Sequence, residues 1–209
     1  MVQLLQLCLQ RDVGTSIADR EKIMRTLHWT VRDLELLPDD GNQYEIVDGE
    51  LYVSRQADWE HQFVSGEIFS VLRIWSRQTG MGVANLAPGI VFSDDSNVIP
   101  DVVWISHERL QTALQADRKL HTTPELVVEV LSPGAENERR DREVKLKLYS
   151  RRNAKEYWIV NWRERTLEVY RRQDGVLELY KTLNEDDRVE SPLLPEFGCR
   201  VGEFFPATR

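Results

Sequence analysis

The chain has 209 residues, 41% of them hydrophobic and 30% charged, enough for one compact domain with a sizeable core. Its net charge of −8 argues against a protein that coats nucleic acid by global attraction, because affinity for phosphate backbones comes from Lys and Arg displacing counterions. No stretch approaches the roughly 20 apolar residues that span a bilayer; residues 1–9 are interrupted by Gln3 and Gln6 and are followed by no small-residue cleavage site, so a cytoplasmic protein without a membrane partner is expected.

Residues 1–26 read as an appended arm and residues 27–209 as a single domain, since no linker, repeat or low-complexity run divides them. Thr30 is placed to cap a short helix that runs to Leu37 and is stopped by Pro38 and Gly41. Over residues 44–53 the dipeptide Asp48-Gly49, favoured in two-residue type I′ turns, predicts an N-terminal hairpin. Its alternation puts Tyr44, Ile46, Leu51 and Val53 on one face and Glu45, Val47, Glu50 and Tyr52 on the other. From Asp58 to Thr79, Val64, Ile68, Val71, Leu72 and Trp75 recur at helical spacing, and Gly80 is placed to end that helix. Strands are predicted at 83–93, 101–105 and 126–131, a second helix over 137–152, a buried strand at 156–160, and a C-terminal hairpin pairing 167–171 with 176–181. Interleaved helices and strands give an α/β or α+β class with a mixed central sheet flanked by helices. Trp75, Trp104 and Trp158 fall in periodic apolar elements and are assigned to the core, which leaves Trp59 and Trp162 as exposed candidates for stacking on nucleic acid. Cys8 and Cys199, at opposite ends of the chain, suggest neither a disulfide framework nor a zinc site and suit a reducing cytoplasm.

The chemistry concentrates in acidic residues. Glu129 interrupts the apolar run Leu126-Val127-Val128-Glu129-Val130-Leu131, which reads as a central strand buried on both faces. A carboxylate there needs a proton, an ion pair or a metal to offset its desolvation. Asp101, after Pro100, opens the apolar strand Val102-Val103-Trp104-Ile105. One acid on each of two buried strands makes an oxygen-ligand site suited to Mg²⁺ or Mn²⁺, with the other positions left to water and phosphate. Lys145 follows on the next helix, where Asp141, Lys145 and Tyr149 share a face; an ammonium aimed at such a centre can hold or deprotonate an attacking water and offset charge on the phosphate. Lys147 projects about 200° away from it. Arg139, Arg140, Arg142, Lys145 and Lys147 concentrate positive charge locally, and Arg140 and Arg142 are candidates for substrate binding. Ser132, ending the Glu129 strand, is a candidate phosphate ligand or turn cap. His61 opens the long helix and is a secondary candidate. No Ser/His/Asp spacing, Cys/His pair, Walker A loop or dinucleotide fingerprint competes with the acidic centre.

These residues resemble the Uma2 family, abundant in cyanobacteria, of the PD-(D/E)XK restriction-endonuclease-like superfamily. The resemblance rests on the segment 44–51, on His61-Gln62, on Pro100-Asp101-Val102-Val103, on the segment 126–133, on Asp141, Lys145 and Tyr149, and on Glu156-Tyr157-Trp158-Ile159-Val160, and so covers residues 27–205. It implies a restriction-endonuclease-like fold and a metal-dependent DNA endonuclease, with Asp101 and Glu129 as metal ligands. The superfamily pattern has a lysine two residues after the second acid, where this chain has Leu131; the resemblance makes Lys145 the substitute. Glu45 or Glu50 supplies a further acid, Glu45 being favoured. The alternative is a catalytically inactive binding or regulatory protein on the same fold, and in either case a homodimer is expected.

Overall fold

The computed structural model describes residues 27–207, so the arm expected over 1–26 lies outside the described residues. Asp48 and Gly49 both adopt positive φ, 52° and 79°, as a type I′ turn requires, and they join β1 (Gln43–Val47) to β2 (Glu50–Ser54). The register pairs Glu45 with Tyr52 and Val47 with Glu50, so the two acids share a face as the alternation predicts. The helix α1 (Val31–Leu34) precedes the hairpin; it ends three residues short of Leu37, and the Thr30 backbone N–H donates to the Asp33 carboxylate at 2.9 Å.

The long helix α2 (Trp59–Thr79) has the expected ends: Asp58 accepts from the His61 N–H, and Gly80 takes the left-handed conformation at φ 66°. Residues 83–93 do not form one strand. Ala87 sits at φ 44° and Pro88 has no N–H to donate, so the chain breaks into β3 (Gly82–Leu86) and β4 (Ile90–Ser93), which join different sheets. The remaining strands are β5 (Ser96–Val98), β6 (Val102–Ser106), β7 (Leu126–Val130), β8 (Glu156–Asn161), β9 (Thr166–Gln173), β10 (Val176–Asn184), β11 (Arg188–Ser191) and β12 (Leu194–Arg200). A short helix α3 (His107–Ala113) follows β6.

A central six-stranded sheet has the order β10-β9-β8-β7-β6-β3; a four-stranded sheet, β2-β1-β5-β4, and the hairpin β11-β12 complete the β-structure of the described residues. The central sheet is mixed, because β7 and β8 run parallel and its other pairs are antiparallel. A parallel pair needs a crossover, supplied here by α4 (Ala135–Arg139), a π-helical turn (Arg140–Lys145) and α5 (Leu146–Arg151). The crossover is thus not the regular helix expected over 137–152.

Both faces of the central sheet are covered, which explains why β6, β7 and β8 are nearly continuous apolar runs. On one face Val64, Ile68, Leu72 and Trp75 of α2 pack with Trp104, Val128 and Trp158, together with Val189, Leu194 and Phe197 of the last hairpin. On the other, Val127, Tyr157 and Ile159 meet Leu148 and Tyr149 of α5 and Val47, Ile90 and Val98 of the four-stranded sheet. Glu129, two residues from Val127, therefore points toward the layer where α5 and the small sheet meet. Trp75, Trp104 and Trp158 are buried as expected and Trp59 is exposed. Trp162 is instead partly buried against the core.

Candidate active site

The β6–β7 ladder pairs Val102 with Val128. Continuing that register by one residue sets Asp101 opposite Glu129, so the two acids project from neighbouring strands toward one face. Each is tied down through one oxygen. Asp101 Oδ2 accepts from the Val130 N–H at 2.7 Å and lies 3.3 Å from His61 Nε2. Glu129 Oε1 accepts from Lys145 Nζ at 3.0 Å and from the Tyr149 hydroxyl at 2.9 Å. No hydrogen bond from the described residues reaches Asp101 Oδ1 or Glu129 Oε2.

The small sheet contributes a third acid. Glu45 on β1 accepts from the Ile99 N–H at 2.7 Å and forms an ion pair with Lys145, whose Nζ lies 2.9 Å from it. Lys145 thus bridges the two sheets through Glu45 and Glu129, and it is only 1% exposed. The crossover adds Asp141, 3.9 Å from Lys145 Nζ, and Arg140, whose Nε lies 3.2 Å from Asp141 Oδ1 and whose Nη1 donates to Ser54 Oγ at 2.5 Å. The π-helical turn makes this convergence possible. In an α-helix residues five apart point about 140° away from each other, whereas i→i+5 bonding brings them toward one side, and here Arg140 and Lys145 are both buried against the same acids.

These side chains line a cavity of about 230 Å³, walled also by Arg55, Gln56, Gln62 and Ser132. Asp101 is its most open acid: the Asp101 side chain is 21% exposed, against 3% for Glu45, 4% for Glu129 and 1% for Asp141. The electrostatics follow from crowding. Burial drives the Glu129 carboxyl well above the usual range; Lys145 opposes that shift, and Asp101, Asp141 and Glu45 add to it. Burial likewise raises Asp141 against the pull of Lys145 and Arg140. Burial also acts upward on Asp101, but the hydrogen bond and charge of His61 and the Val130 N–H outweigh it and hold that carboxyl below its ordinary value. Desolvation alone would lower Lys145, yet Glu129 and Glu45 outweigh it and keep the ammonium protonated to unusually high pH. Four carboxylates face two permanent cations, Arg140 and Lys145.

The cavity brings together Asp101, Glu129, Lys145, Glu45, His61, Ser132 and Arg140 of the residues singled out in the sequence. It does not include Arg142, which turns away to pair with Glu168 on β9, because adjacent helical residues point about 100° apart. Glu50 is also elsewhere: it accepts from the Tyr52 hydroxyl at 2.9 Å and lines a separate cleft with Lys147. Leu131, where the superfamily pattern has lysine, is fully buried in the apolar core. Asp141, Gln62 and Arg55 also line the cavity, although the sequence gives no site role to them; the i,i+4 spacing of Asp141 and Lys145 is the available signal for the first.

A family model, Uma2, described as "Putative restriction endonuclease", matches residues 31–202. Among solved structures, that of "a putative nuclease belonging to DUF820" from Anabaena variabilis ATCC 29413 superposes with a TM-score of 0.67 at 18% identity, covering 84% of this chain and 97% of that one. No curated protein matches the chain. The structural likeness shows a shared nuclease-like fold.

Proposed function

The chain belongs to the Uma2 family, and from that premise we propose that it is a cytoplasmic endonuclease that hydrolyses DNA phosphodiester bonds with the help of a divalent cation. The observation that carries the reading is the opposition of Asp101 and Glu129 at the mouth and floor of one recess, with Lys145 Nζ 3.0 Å from Glu129. Among the described residues no three His, Cys, Asp or Glu side chains form a ready ligand shell. The donor set nevertheless fits Mg²⁺ or Mn²⁺, which take few protein ligands and keep water and substrate phosphate in the remaining positions. Asp101 Oδ1 and Glu129 Oε2 are uncommitted, and the recess holds more buried carboxylate than cation, an imbalance that a divalent ion offsets.

Asp101 and Glu129 would hold the ion, which when bound lowers the barrier to hydroxide formation and neutralises charge on the phosphate. Lys145, hydrogen-bonded to Glu129 and ion-paired with Glu45, would orient the attacking water or meet the charge growing on the phosphate oxygens. Kept protonated by its carboxylate neighbours, it acts as a fixed cation rather than as the base. Glu45 acts as a positioning residue by fixing Lys145, and Arg140 and Ser132 offer donors to a phosphate at the cavity wall. A homodimer belongs to the same proposal, since two-fold pairs are the commonest soluble assemblies, and sedimentation of the full chain tests it.

The main test is incubation with supercoiled and single-stranded DNA in Mg²⁺ or Mn²⁺ beside Asp101→Ala, Glu129→Ala and Lys145→Ala. Cleavage that chelator abolishes and that all three substitutions reduce supports the reading. Nicking that survives Asp101→Ala and Glu129→Ala unchanged sinks it, and a wild-type chain without cleavage that still binds the ion leaves the binding-protein alternative in its place.

A further inference from the structure

Helix α2 packs on the central sheet through Val64, Ile68, Leu72 and Trp75, and the same stripe begins one turn earlier at position 61, three residues before Val64 and seven before Ile68. There the chain has a histidine in place of an apolar residue, and it is buried, 6% exposed. Its backbone is fixed on both sides: the His61 N–H donates to the Asp58 carboxylate at 2.9 Å, and the His61 carbonyl accepts from the Ser65 hydroxyl at 2.9 Å. The ring lines the acid recess. Nε2 lies 3.3 Å from Asp101 Oδ2, whereas Nδ1 is buried with no hydrogen-bond partner among the described residues. The ring is thus committed to one oxygen of one carboxylate.

An ionised carboxylate only accepts, so the ring nitrogen that faces it carries a proton. Asp101 Oδ2 then meets two donors, that nitrogen and the Val130 N–H at 2.7 Å. The Val130 N–H alone would be a pivot, because the Asp101 side chain is the most open of the four acids and could turn about a single contact. His61 supplies the second point of attachment. It comes from α2, on the face of the central sheet opposite the crossover and the small sheet, which supply Lys145 and Glu45.

We propose that His61 is a positioning residue for the divalent ion: with the Val130 N–H it holds Asp101 by Oδ2 and keeps Oδ1 for the metal, so that the layers on both sides of the central sheet take part in building the ion site. The inference rests on the ion of the proposed function and gives this residue the task of orienting a ligand. Hydrogen-bond partners of metal-binding side chains in such a role are worth about 10- to 100-fold in metal affinity.

The test reads the ion and needs no turnover. Titration calorimetry gives the Mn²⁺ dissociation constant of the full chain without DNA, for the wild type and for His61→Ala, His61→Gln and His61→Asn. A glutamine amide nitrogen reaches the place of Nε2, and an asparagine amide nitrogen only that of Nδ1. Affinity should fall about 10- to 100-fold in His61→Ala and His61→Asn, and most of it should return in His61→Gln. A histidine that served the fold alone would lower the melting temperature in chelator and leave the affinity of the folded chain unchanged. Should His61→Ala not fold, the contrast between the glutamine and asparagine variants decides. Folded His61→Ala or His61→Asn that binds Mn²⁺ as the wild type does, or His61→Gln that binds no better than His61→Asn, overturns the assignment and leaves the ion reading standing. A wild type that binds no Mn²⁺ removes both.

Discussion

Lys145 Nζ lies 3.0 Å from Glu129 Oε1 across the junction of the crossover and the central sheet, and both side chains are buried. The pair is asymmetric in its dependence. Lys145 has a second carboxylate partner in Glu45 at 2.9 Å, whereas Glu129 has no other cation as near. Removing Lys145 leaves four carboxylates beside Arg140 alone, and stripping one partner from a buried ion cluster costs about 3–5 kcal/mol. Removing the Glu129 charge instead relieves crowding. Lys145→Met is therefore expected to lower stability to urea by about that amount, and Glu129→Gln to leave it unchanged or raise it, both in chelator. Equal losses in the two variants contradict this account of the cluster.

The same crowding gives a pH signature. The Glu129 carboxyl is raised by burial and by its acidic neighbours, so the folded state holds its proton more tightly than the unfolded chain does. Its favourable contribution is complete below the unfolded value and is lost as pH rises through the folded one. Asp101, held low mainly by His61 against its burial, has the opposite sign: its contribution is present above the ordinary aspartate range and is lost in acid. Without metal, the melting temperature of Glu129→Gln minus that of the wild type should grow as pH rises from about 4.5, the ordinary glutamate range, toward 8. A difference that is flat or shrinks across that window would show that Glu129 is ionised at no net penalty.

Much of this arrangement is legible in the chain because single residues contradict their surroundings. Glu129 announces itself as a charge inside an apolar strand, Asp48-Gly49 fixes the hairpin register, and that register puts Glu45 and Glu50 on one face. What pattern could not decide was which acid faces inward, since that depends on the pairing of β1 with β5 and on the Ile99 N–H. The split of residues 83–93 hangs on the single non-glycine residue Ala87 at positive φ, and β11–β12 on a short hairpin that packs against α2 without strong alternation of its own. Arg140 and Arg142 look alike in a basic run; helical phase, altered by the π turn, sends one into the cavity and the other to Glu168. Wide hydrogen-bond rings leave no compositional mark, so the π turn was invisible in the sequence.

That turn makes a prediction of its own. A π-helical segment amounts to an α-helix with one inserted residue, and Glu143 is the exposed residue within it. Deleting Glu143 should let the crossover close into a regular helix while α5 keeps its packing through Leu148 and Tyr149. Arg140 would then stand four residues from Lys145, about 40° away around an α-helix, so the two still face the same acids. Helical content by circular dichroism should be preserved and nuclease activity should stay within about tenfold of the wild type, short of the roughly 100-fold loss that a misplacement of about 1 Å can cause. A loss of about 100-fold or more in the folded deletion variant would mean that the inserted residue itself sets the geometry of the site.

Metal binding supplies the most direct readout of the acidic pair, because it does not require turnover. An ion that binds only the folded chain stabilises it by about 2.7 kcal/mol at one hundred times its dissociation constant. Mn²⁺ or Mg²⁺ should therefore raise the melting temperature of the wild type in a concentration-dependent way. Asp101→Asn and Glu129→Gln each remove one of the two carboxylates with an uncommitted oxygen and should abolish most of that rise. Glu50→Gln changes an acid that lines a different cleft, and should leave the rise intact. Since Glu129→Gln is also expected to be as stable as the wild type without metal, loss of its metal response would reflect a missing ligand rather than a damaged fold. A rise of equal size in all four proteins would place the ion elsewhere and separate the buried acids from metal binding altogether.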